Sequence, residues 1–204
     1  MKSARLLLPH LSNDDKNPST ILDIGCFTQE ARKYLPSSVR YIGVDSHQYH
    51  STTKVMNLSH GFEPIPASHA LCLETLEHLV DPSDTLESLE KSLAENGHLV
   101  VSLPNEATVF HRIRCLFGTV DAQAFASEGK HLHLPNLKQS RRFLSKKFDI
   151  LSEQYYISPS ACGSGCEWLG RILTLIPDWF HQLIADRWPS LFARGFIFLL
   201  KKRT

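Results

Sequence analysis

The sequence lacks the features that mark membrane, secreted and nucleic-acid-binding chains. Its charges nearly cancel, with 22 Lys and Arg against 21 Asp and Glu, so it has no broad basic field for binding nucleic acid. The longest apolar run near the C-terminus, Gly195 to Leu200, is far shorter than the roughly 20 residues of a membrane-spanning helix. Another run, Leu6 to Leu8, is stopped by Pro9 before it reaches the length of a secretory signal. We therefore expect a cytoplasmic protein with no transmembrane segment and no nucleic-acid partner.

Cysteine is scarce, and its number is odd. No disulfide framework is recognisable in the spacing of the cysteines, which favours a reducing compartment. The five residues are Cys26, Cys72, Cys115, Cys162 and Cys166. A length of 204 residues with 42% hydrophobic side chains suits one folded domain with a sizeable core. We predict a single domain, with its core over residues 20–157 and 193–202 and a helical insertion over 158–192.

Short runs of Ile, Leu and Val alternate along the chain with helical patterns. The runs predict strands at 21–25, 41–45, 54–58, 70–73, 98–103, 148–157 and 193–202, and helices at 29–35 and 137–148. Asp81 and Pro82 signal the start of another helix, and Asn96-Gly97 its end. This alternation predicts an α/β fold, with a mostly parallel sheet of about seven strands and an antiparallel C-terminal hairpin.

The predicted insertion over 158–192 is rich in large apolar side chains. It holds all three tryptophans, and prolines at 177 and 189 divide its helical patterns. One interpretation is a lid that packs on the sheet, because apolar helical stripes usually face a core. A second is a cap that contacts a membrane surface, because Trp and Phe beside Arg are typical of such helices. A dimer interface would have the same composition.

Polar residues follow the predicted strands at the sheet edge where open parallel sheets bind their ligands. Asp23 and Gly25 come at the end of the first strand, and Asp45 closes the second. A carboxylate at the latter position can accept hydrogen bonds from both ribose hydroxyls of a nucleoside. The spacing predicts a nucleoside cofactor.

Four motifs in order extend this pattern: ILDIGC, YIGVD, LETLEHLVDP and LAENGHLVVSLPN. Together they resemble the class I S-adenosylmethionine-dependent methyltransferases, in particular the small-molecule branch that includes ubiquinone- and methionine-biosynthesis-type enzymes. The resemblance covers residues 20–157, and the final RGFIFLLKK is similar to the last strand of the family. It implies a Rossmann-like methyltransferase fold, S-adenosyl-L-methionine as cofactor and methyl transfer to a small-molecule acceptor.

The resemblance also implies which residues hold the cofactor. Asp23 and Gly25 would contact its methionine part, Asp45 its ribose, and Asn57 its adenine amine. The full predicted set is Asp23, Gly25, Cys26, Phe27, Asp45, Ser46, Asn57, Leu58, Glu74 and Thr75.

The first loop departs from the Gly-x-Gly-x-Gly pattern of the family. Phe27 and Gln29 replace the second and third glycines, and a positive φ at Phe27 would be strained. One reading is a reshaped loop that still binds the cofactor. The other is a catalytically inactive member of the fold that docks on a partner or membrane. A nicotinamide-dependent oxidoreductase would share the sheet, but LETLEHL is typical of the methyltransferases.

Histidine suits the removal of a proton from a methyl acceptor near neutral pH. We predict His131 and His78 as catalytic residues, with His111 and His133 as further candidates. The pair His131-x-His133, with His111 or Glu128 as third ligand, is an alternative metal site; we predict no metal. The apolar insertion indicates an acceptor that is apolar or lipid-linked, methylated on oxygen or a similar nucleophile.

Overall fold

A computed structural model describes residues 2–12, 18–105, 107–118, 131–157 and 177–203. Within these ranges the strands are β1 (Thr20–Ile24), β2 (Arg40–Asp45), β3 (Lys54–Val55), β4 (Ala67–Leu73), β5 (Leu93–Pro104), β6 (Phe148–Tyr156) and β7 (Gly195–Lys202). The α-helices are α1 (Pro82–Ser92), α2 (Val109–Leu116), α3 (Leu137–Leu144), α4 (Asp178–Arg187) and α5 (Pro189–Phe192). Three 3-10 helices cover Lys2–His10, Glu30–Tyr34 and Leu76–His78.

The strands form one sheet in the order β3-β2-β1-β4-β5-β7-β6. Strands β1 to β5 are parallel to one another, whereas β7 runs antiparallel to both β5 and β6. The carboxyl ends of β1, β2, β4, β5 and β6 therefore lie at one edge, called here the carboxyl edge. The predicted Rossmann-like α/β fold with an antiparallel C-terminal hairpin is confirmed.

Each face of the sheet carries its own apolar core, because successive side chains of a strand point to opposite faces. The larger core contains Leu22 and Val101 and is covered by α1 and α3. The smaller contains Ile21 and Val100 and is closed by the first two 3-10 helices. Ala4 and Leu7 of the first 3-10 helix are fully buried there, so the chain contributes to its core well before β1.

The start of α1 is as predicted, but its end is not. The carboxylate of Asp81 accepts hydrogen bonds from the backbone N–H groups of Ser83 and Asp84, as an N-cap residue does. The helix ends at Ser92, and Asn96-Gly97 lies inside β5. There the pairing of β4 with β5 shifts register, and a Cβ on Gly97 would lie 3.0 Å from the carbonyl oxygen of Ser68. The glycine serves a tight strand irregularity rather than a helix end.

Several other predicted elements are shorter than expected. The third strand keeps only Lys54–Val55, the first predicted helix is the 3-10 helix Glu30–Tyr34, and the helix that begins at Leu137 ends at Leu144. Their flanking turns contain Pro36 or the polar run 145–147. Among the described helices, none is long and apolar enough to cross a membrane.

The described part of the insertion consists of α4 and α5. Pro177 precedes α4 and Pro189 opens α5, as predicted; residues 158–176 lie outside the described ranges. Because β6 ends and β7 begins at the carboxyl edge, α4 and α5 connect to the sheet there. The side-chain amide of Asn105, just after β5, donates to the carbonyl oxygen of Ala193 over 2.8 Å and holds the end of the insertion at this edge.

Three histidines meet at the opposite end of the sheet. The imidazoles of His10 and His98 stack with ring centroids 3.8 Å apart, and Nδ1 of His69 accepts the backbone N–H of His98. Burial and the neighbouring charges of His10, His69 and Lys201 lower the pKa of His98 to about 4. Burial also lowers the pKa of His69.

We expect acid to loosen this contact. The pKa of His98 is about 4 in the fold against an ordinary histidine pKa of 6.5, so the unfolded chain binds more protons between these values. The free energy of unfolding contributed by His98 falls as the pH drops through this window. Thermal denaturation between pH 7 and pH 4 should show a shallower loss of Tm in His98→Gln than in the wild type. His60→Gln, at an exposed histidine, is the control and should lose Tm with falling pH as steeply as the wild type does. Equal slopes of Tm against pH in all three proteins would contradict the prediction.

Candidate active site

Backbone strain is concentrated at the carboxyl edge. Among the described non-glycine residues, three have a positive φ: Phe27, Gln29 and Glu74. The first two follow β1, and Glu74 follows β4, its neighbour in the sheet. A left-handed conformation costs a side-chain-bearing residue about 1–2 kcal/mol, and such residues cluster at functional sites. The strain marks this edge as the functional site.

The loop after β1 keeps the backbone that three glycines would give. Gly25, Phe27 and Gln29 have φ of 72°, 44° and 59°. A Cβ on Gly25 would lie only 2.1 Å from Oγ1 of Thr75, so only glycine fits this first position. The bulky residues at the other two positions adopt the left-handed conformation despite its cost.

The side chains of Phe27 and Gln29 make different contacts. The Phe27 ring is half exposed and packs against Tyr49, with ring centroids 4.5 Å apart. The Gln29 side chain is buried, and its amide donates to the hydroxyls of Thr52 and Thr53 over 3.1 and 3.2 Å. These hydrogen bonds tie the loop to the turn before β3.

Asp45 organises the same loop from the end of β2. Its Oδ2 accepts the backbone N–H of Phe27 over 2.8 Å, and its Oδ1 accepts the backbone N–H of His47 and the hydroxyl of Ser46. A carboxylate has about four lone-pair positions, so Asp45 retains acceptor capacity for a further hydroxyl. Its side chain is thus oriented before any ligand arrives.

Asp23, at the end of β1, is a buried acid. Burial raises its pKa to about 7, against the effect of a hydrogen bond from Tyr41, and the nearby charge of Asp45 raises it further. The burial of Tyr41 and its contact with Asp23 raise the pKa of the phenol. A cationic ligand group beside Asp23 would offset the cost of ionising this carboxyl.

A second polar group surrounds Glu74. Its Oε1 accepts the hydroxyl of Ser102 over 2.7 Å and that of Tyr156 over 3.1 Å. Tyr156 packs against Gly195, where a Cβ would lie 2.3 Å from the phenol oxygen. Burial and the charge of Glu74 raise the pKa of Tyr156. Ser102, Tyr156 and Tyr41 were missed in the sequence, although Tyr156 ends a strand at the carboxyl edge and could have been found by that rule.

The two histidines predicted to be catalytic lie side by side. The rings of His78 and His131 meet edge to face with centroids 4.8 Å apart, and the buried carboxylate of Glu77 lies next to them. His133 is turned away, because its Nε2 lies 2.9 Å from the carbonyl oxygen of Leu79. His111 lies in α2, and Glu128 lies outside the described residues.

The remaining predicted cofactor residues are partly engaged by local contacts. The Asn57 side-chain oxygen accepts the N–H of Ser59 over 2.9 Å. The Leu58 side chain lies in the larger core. The Cys26 thiol is buried 3.8 Å from Oγ1 of Thr53, and burial raises its pKa to about 11. A thiol with so high a pKa stays protonated at neutral pH and is unreactive.

Residues 2–148 match the model of a methyltransferase domain family. Among solved structures, a methyltransferase from Haloferax volcanii in complex with the Trm112 activator is similar at 13% identity and a TM-score of 0.63, covering 100% of this chain and 89% of that one. A S-adenosylmethionine-dependent methyltransferase from Archaeoglobus fulgidus has 15% identity, a TM-score of 0.60, and coverage of 98% and 92%. The N-methyltransferase NodS of Bradyrhizobium japonicum with S-adenosylhomocysteine has 13% identity, a TM-score of 0.59, and coverage of 100% and 85%. No curated protein sequence matches the chain.

The chain belongs to the methyltransferase domain family, since the family model matches well over half of it. It is a methyltransferase with the class I fold, as predicted, and S-adenosylmethionine is its predicted cofactor. The residues present fit the cofactor. The left-handed loop is retained at all three glycine positions, and Asp23 and Asp45 stand at the two strand ends that flank it.

We expect the buried carboxyl of Asp23 to lower the stability of the ligand-free protein and to strengthen the binding of the cofactor. The native pKa of Asp23 is about 7 against an ordinary aspartate pKa of 3.8, so the folded state binds more protons between these values. The free energy of unfolding therefore falls as pH rises through this window. Asp23→Asn removes the effect and should raise the Tm of the ligand-free protein at pH 8 by at least about 3 °C, while weakening S-adenosylmethionine binding.

Scanning calorimetry at pH 5 and pH 8 checks this, with Asp149→Asn as the control at an exposed acid that pairs with Arg203. If the Tm of Asp23→Asn at pH 8 is equal to or lower than that of the wild type, the prediction is wrong.

Proposed function

We propose that the enzyme transfers a methyl group from S-adenosylmethionine to an oxygen or similar nucleophile of a small acceptor that is apolar or linked to a lipid. The observation that carries the proposal is the position of the insertion. Its described helices α4 and α5 attach at the carboxyl edge and expose large apolar side chains. These are Trp179, Phe180, Leu183, Trp188 and Phe192.

Contacts between the insertion and the edge support this placement. The Gln182 side chain donates to the carbonyl oxygen of Tyr155 over 2.9 Å, and the carbonyl oxygen of Tyr156 accepts the N–H of Arg194. The hydroxyl of Tyr156 in turn reaches Glu74. The apolar surface and the polar group at Glu74 are therefore linked through one residue, as an acceptor with an apolar body and a polar reactive end requires.

We assign the cofactor to the loop after β1. Bound there, S-adenosylmethionine supplies a methyl group on a positively charged sulfur. Asp45 would accept a ribose hydroxyl through its remaining lone pair, and Asp23 with the Gly25 turn would lie against the methionine part. Glu74 and Thr75 would form the floor of the site. The family resemblance gives these roles, and the orientation of the four side chains at one edge supports them.

The acceptor must lose a proton when the methylated group is a hydroxyl. His131 and His78 are the proposed residues for this step, because both lie beyond the end of β4 and contact each other. The exposed aromatic residues of α4 and α5 beside Arg187 also match a surface that touches a membrane, from which a lipid-linked acceptor would be taken.

Cofactor binding is the first test. Titration calorimetry with S-adenosylmethionine and S-adenosylhomocysteine should give micromolar affinity for the wild type. Asp45→Ala should lose binding, because it removes the ribose acceptor and the partner of the Phe27 N–H. Asp149→Ala should bind like the wild type. A folded wild type without binding heat would refute the proposal.

Acceptor preference is the second test. Label transfer from S-adenosyl[methyl-3H]methionine is measured on matched phenols with and without an isoprenoid tail. The enzyme should prefer the tailed acceptor, and Leu183→Gln should raise its KM several-fold while leaving the KM of the short one unchanged. The side chain of Leu183 is exposed, so the fold should tolerate the change to Gln.

One variant separates methyl transfer from the binding of the cofactor product. His131→Ala should abolish transfer to both acceptors and leave the affinity for S-adenosylhomocysteine unchanged. Equal use of both acceptors by the wild type would overturn the apolar acceptor while leaving the methyltransferase assignment standing.

A further inference from the structure

We infer that Glu77, His78 and His131 form a binding site for a divalent transition-metal ion such as Zn²⁺. The three side chains offer one carboxylate and two imidazoles. Their ligand atoms all lie within 4.8 Å of one another. Two histidines and one carboxylate are a donor set that binds zinc and related divalent ions.

The carboxylate has the surroundings of a metal ligand. The side chain of Glu77 has no exposed surface, whereas that of His78 is one-third exposed, and His131 is half-buried. An ion held here would thus be shielded on the Glu77 side and reachable from the histidine side. Burial strengthens the attraction between a carboxylate and a cation, because the local dielectric constant is low.

The two chain segments that carry the ligands are held together independently of any ion. The carbonyl oxygen of Glu77 accepts the N–H groups of Leu132 and His133 over 2.8 and 3.1 Å. The His133 ring adds a contact with the carbonyl oxygen of Leu79. These bonds place His131 against the 3-10 helix Leu76–His78, so the site is partly assembled in advance.

The ligand atoms, which lie within 4.8 Å of one another, must move closer together to share one ion. Oε1 of Glu77 and Nε2 of His78 are 3.9 Å apart, whereas ligands at bond lengths of about 2.0–2.1 Å from a tetrahedral zinc are about 3.3 Å apart. Rotation of the two half-buried imidazoles shortens these distances.

The site differs from the pair His131-x-His133 that the sequence suggests. Alternate residues of a regular strand share one face, but residues 131–135 form no strand. Here the His133 ring contacts the carbonyl oxygen of Leu79, whereas the His131 ring contacts His78. Adjacent Glu and His in LEH, just beyond a strand that ends at the carboxyl edge, were the available signal.

Three protein ligands leave at least one coordination position open, as in catalytic rather than structural zinc sites. If the proposed function is right, an oxygen of the acceptor can occupy this position, and the ion would then orient it beside the cofactor floor at Thr75. His78 and His131 would then serve the loss of the acceptor proton by holding the ion, rather than by taking the proton themselves. This extension depends on the proposed function, whereas the metal site itself does not.

The test is metal binding by the full chain, purified in chelator and then dialysed free of it. Titration calorimetry with Zn²⁺ at pH 7.5 should show one site per chain, and Co²⁺ should give visible absorption bands at the same stoichiometry. His131→Ala and His78→Ala should each weaken Zn²⁺ binding at least about 10-fold. His60→Ala is the control and should bind as the wild type does, and His133→Ala tests the alternative i, i+2 pair.

Glu77→Gln is a third variant, and circular dichroism checks that it folds; the two histidine variants decide the result if it does not. Absence of stoichiometric binding, or unchanged affinity in His131→Ala, would overturn the inference. Loss of binding in His133→Ala with retention in His78→Ala would also overturn it, in favour of the i, i+2 pair. S-adenosylhomocysteine affinity measured in chelator separates the two proposals, since its retention without Zn²⁺ binding refutes the metal site alone.

Discussion

The candidate site at the carboxyl edge depends on the close approach of Gly25 to Thr75. A hydrogen atom at Gly25 is all that the side chain of Thr75 leaves room for. Thr75 is itself fixed, since its hydroxyl donates to the carbonyl oxygen of Leu73 over 3.0 Å. Through this contact the loop after β1 and the turn after β4 become one unit, which carries Asp23 on one side and the Glu77-His78 turn on the other.

The loop also shows how a glycine-dependent shape survives the loss of two glycines. Each left-handed side-chain-bearing residue costs about 1–2 kcal/mol. The offset at Gln29 comes from two hydrogen bonds to Thr52 and Thr53. At Phe27 the offset comes from the hydrogen bond that its backbone N–H donates to the carboxylate of Asp45, and from the packing of its ring against Tyr49. A hydrogen bond to a charged group contributes about 1.5–3 kcal/mol, which is enough to hold the backbone.

Much of the fold was predictable because its signals are local. Apolar runs, the Asp81-Pro82 cap and the proline breaks at 177 and 189 each act within a few residues of themselves. The Asn96-Gly97 interpretation failed because the same dipeptide serves a helix end and a strand irregularity, and only the pairing of β4 with β5 decides between them. The first 3-10 helix, Lys2–His10, was not predicted, since its burial depends on a sheet face formed by residues far along the chain.

The site divides in the same way. Asp23, Gly25 and Asp45 follow from strand ends, and His78 and His131 were named from their positions after predicted strands. The contact between His78 and His131 was not predictable, because it joins residues more than fifty positions apart. Tyr41 reaches Asp23 from the neighbouring strand β2, whereas Tyr156 reaches Glu74 from β6, which β5 and β7 separate from β4. Glu77 was hidden as an ordinary helix-turn acid in LEH. Its burial is a property of the packed turn and has no sequence signature.

The position of β7 between β5 and β6 has a consequence for how this enzyme can change. Both ends of the segment between β6 and β7 return to the carboxyl edge, and Asn105 fastens its last turn. The segment can therefore be lengthened, shortened or exchanged without altering strand pairing or the loop after β1. Under the proposed function, selection for a new acceptor can act on this segment alone, while the residues proposed to bind the methyl donor are inherited intact.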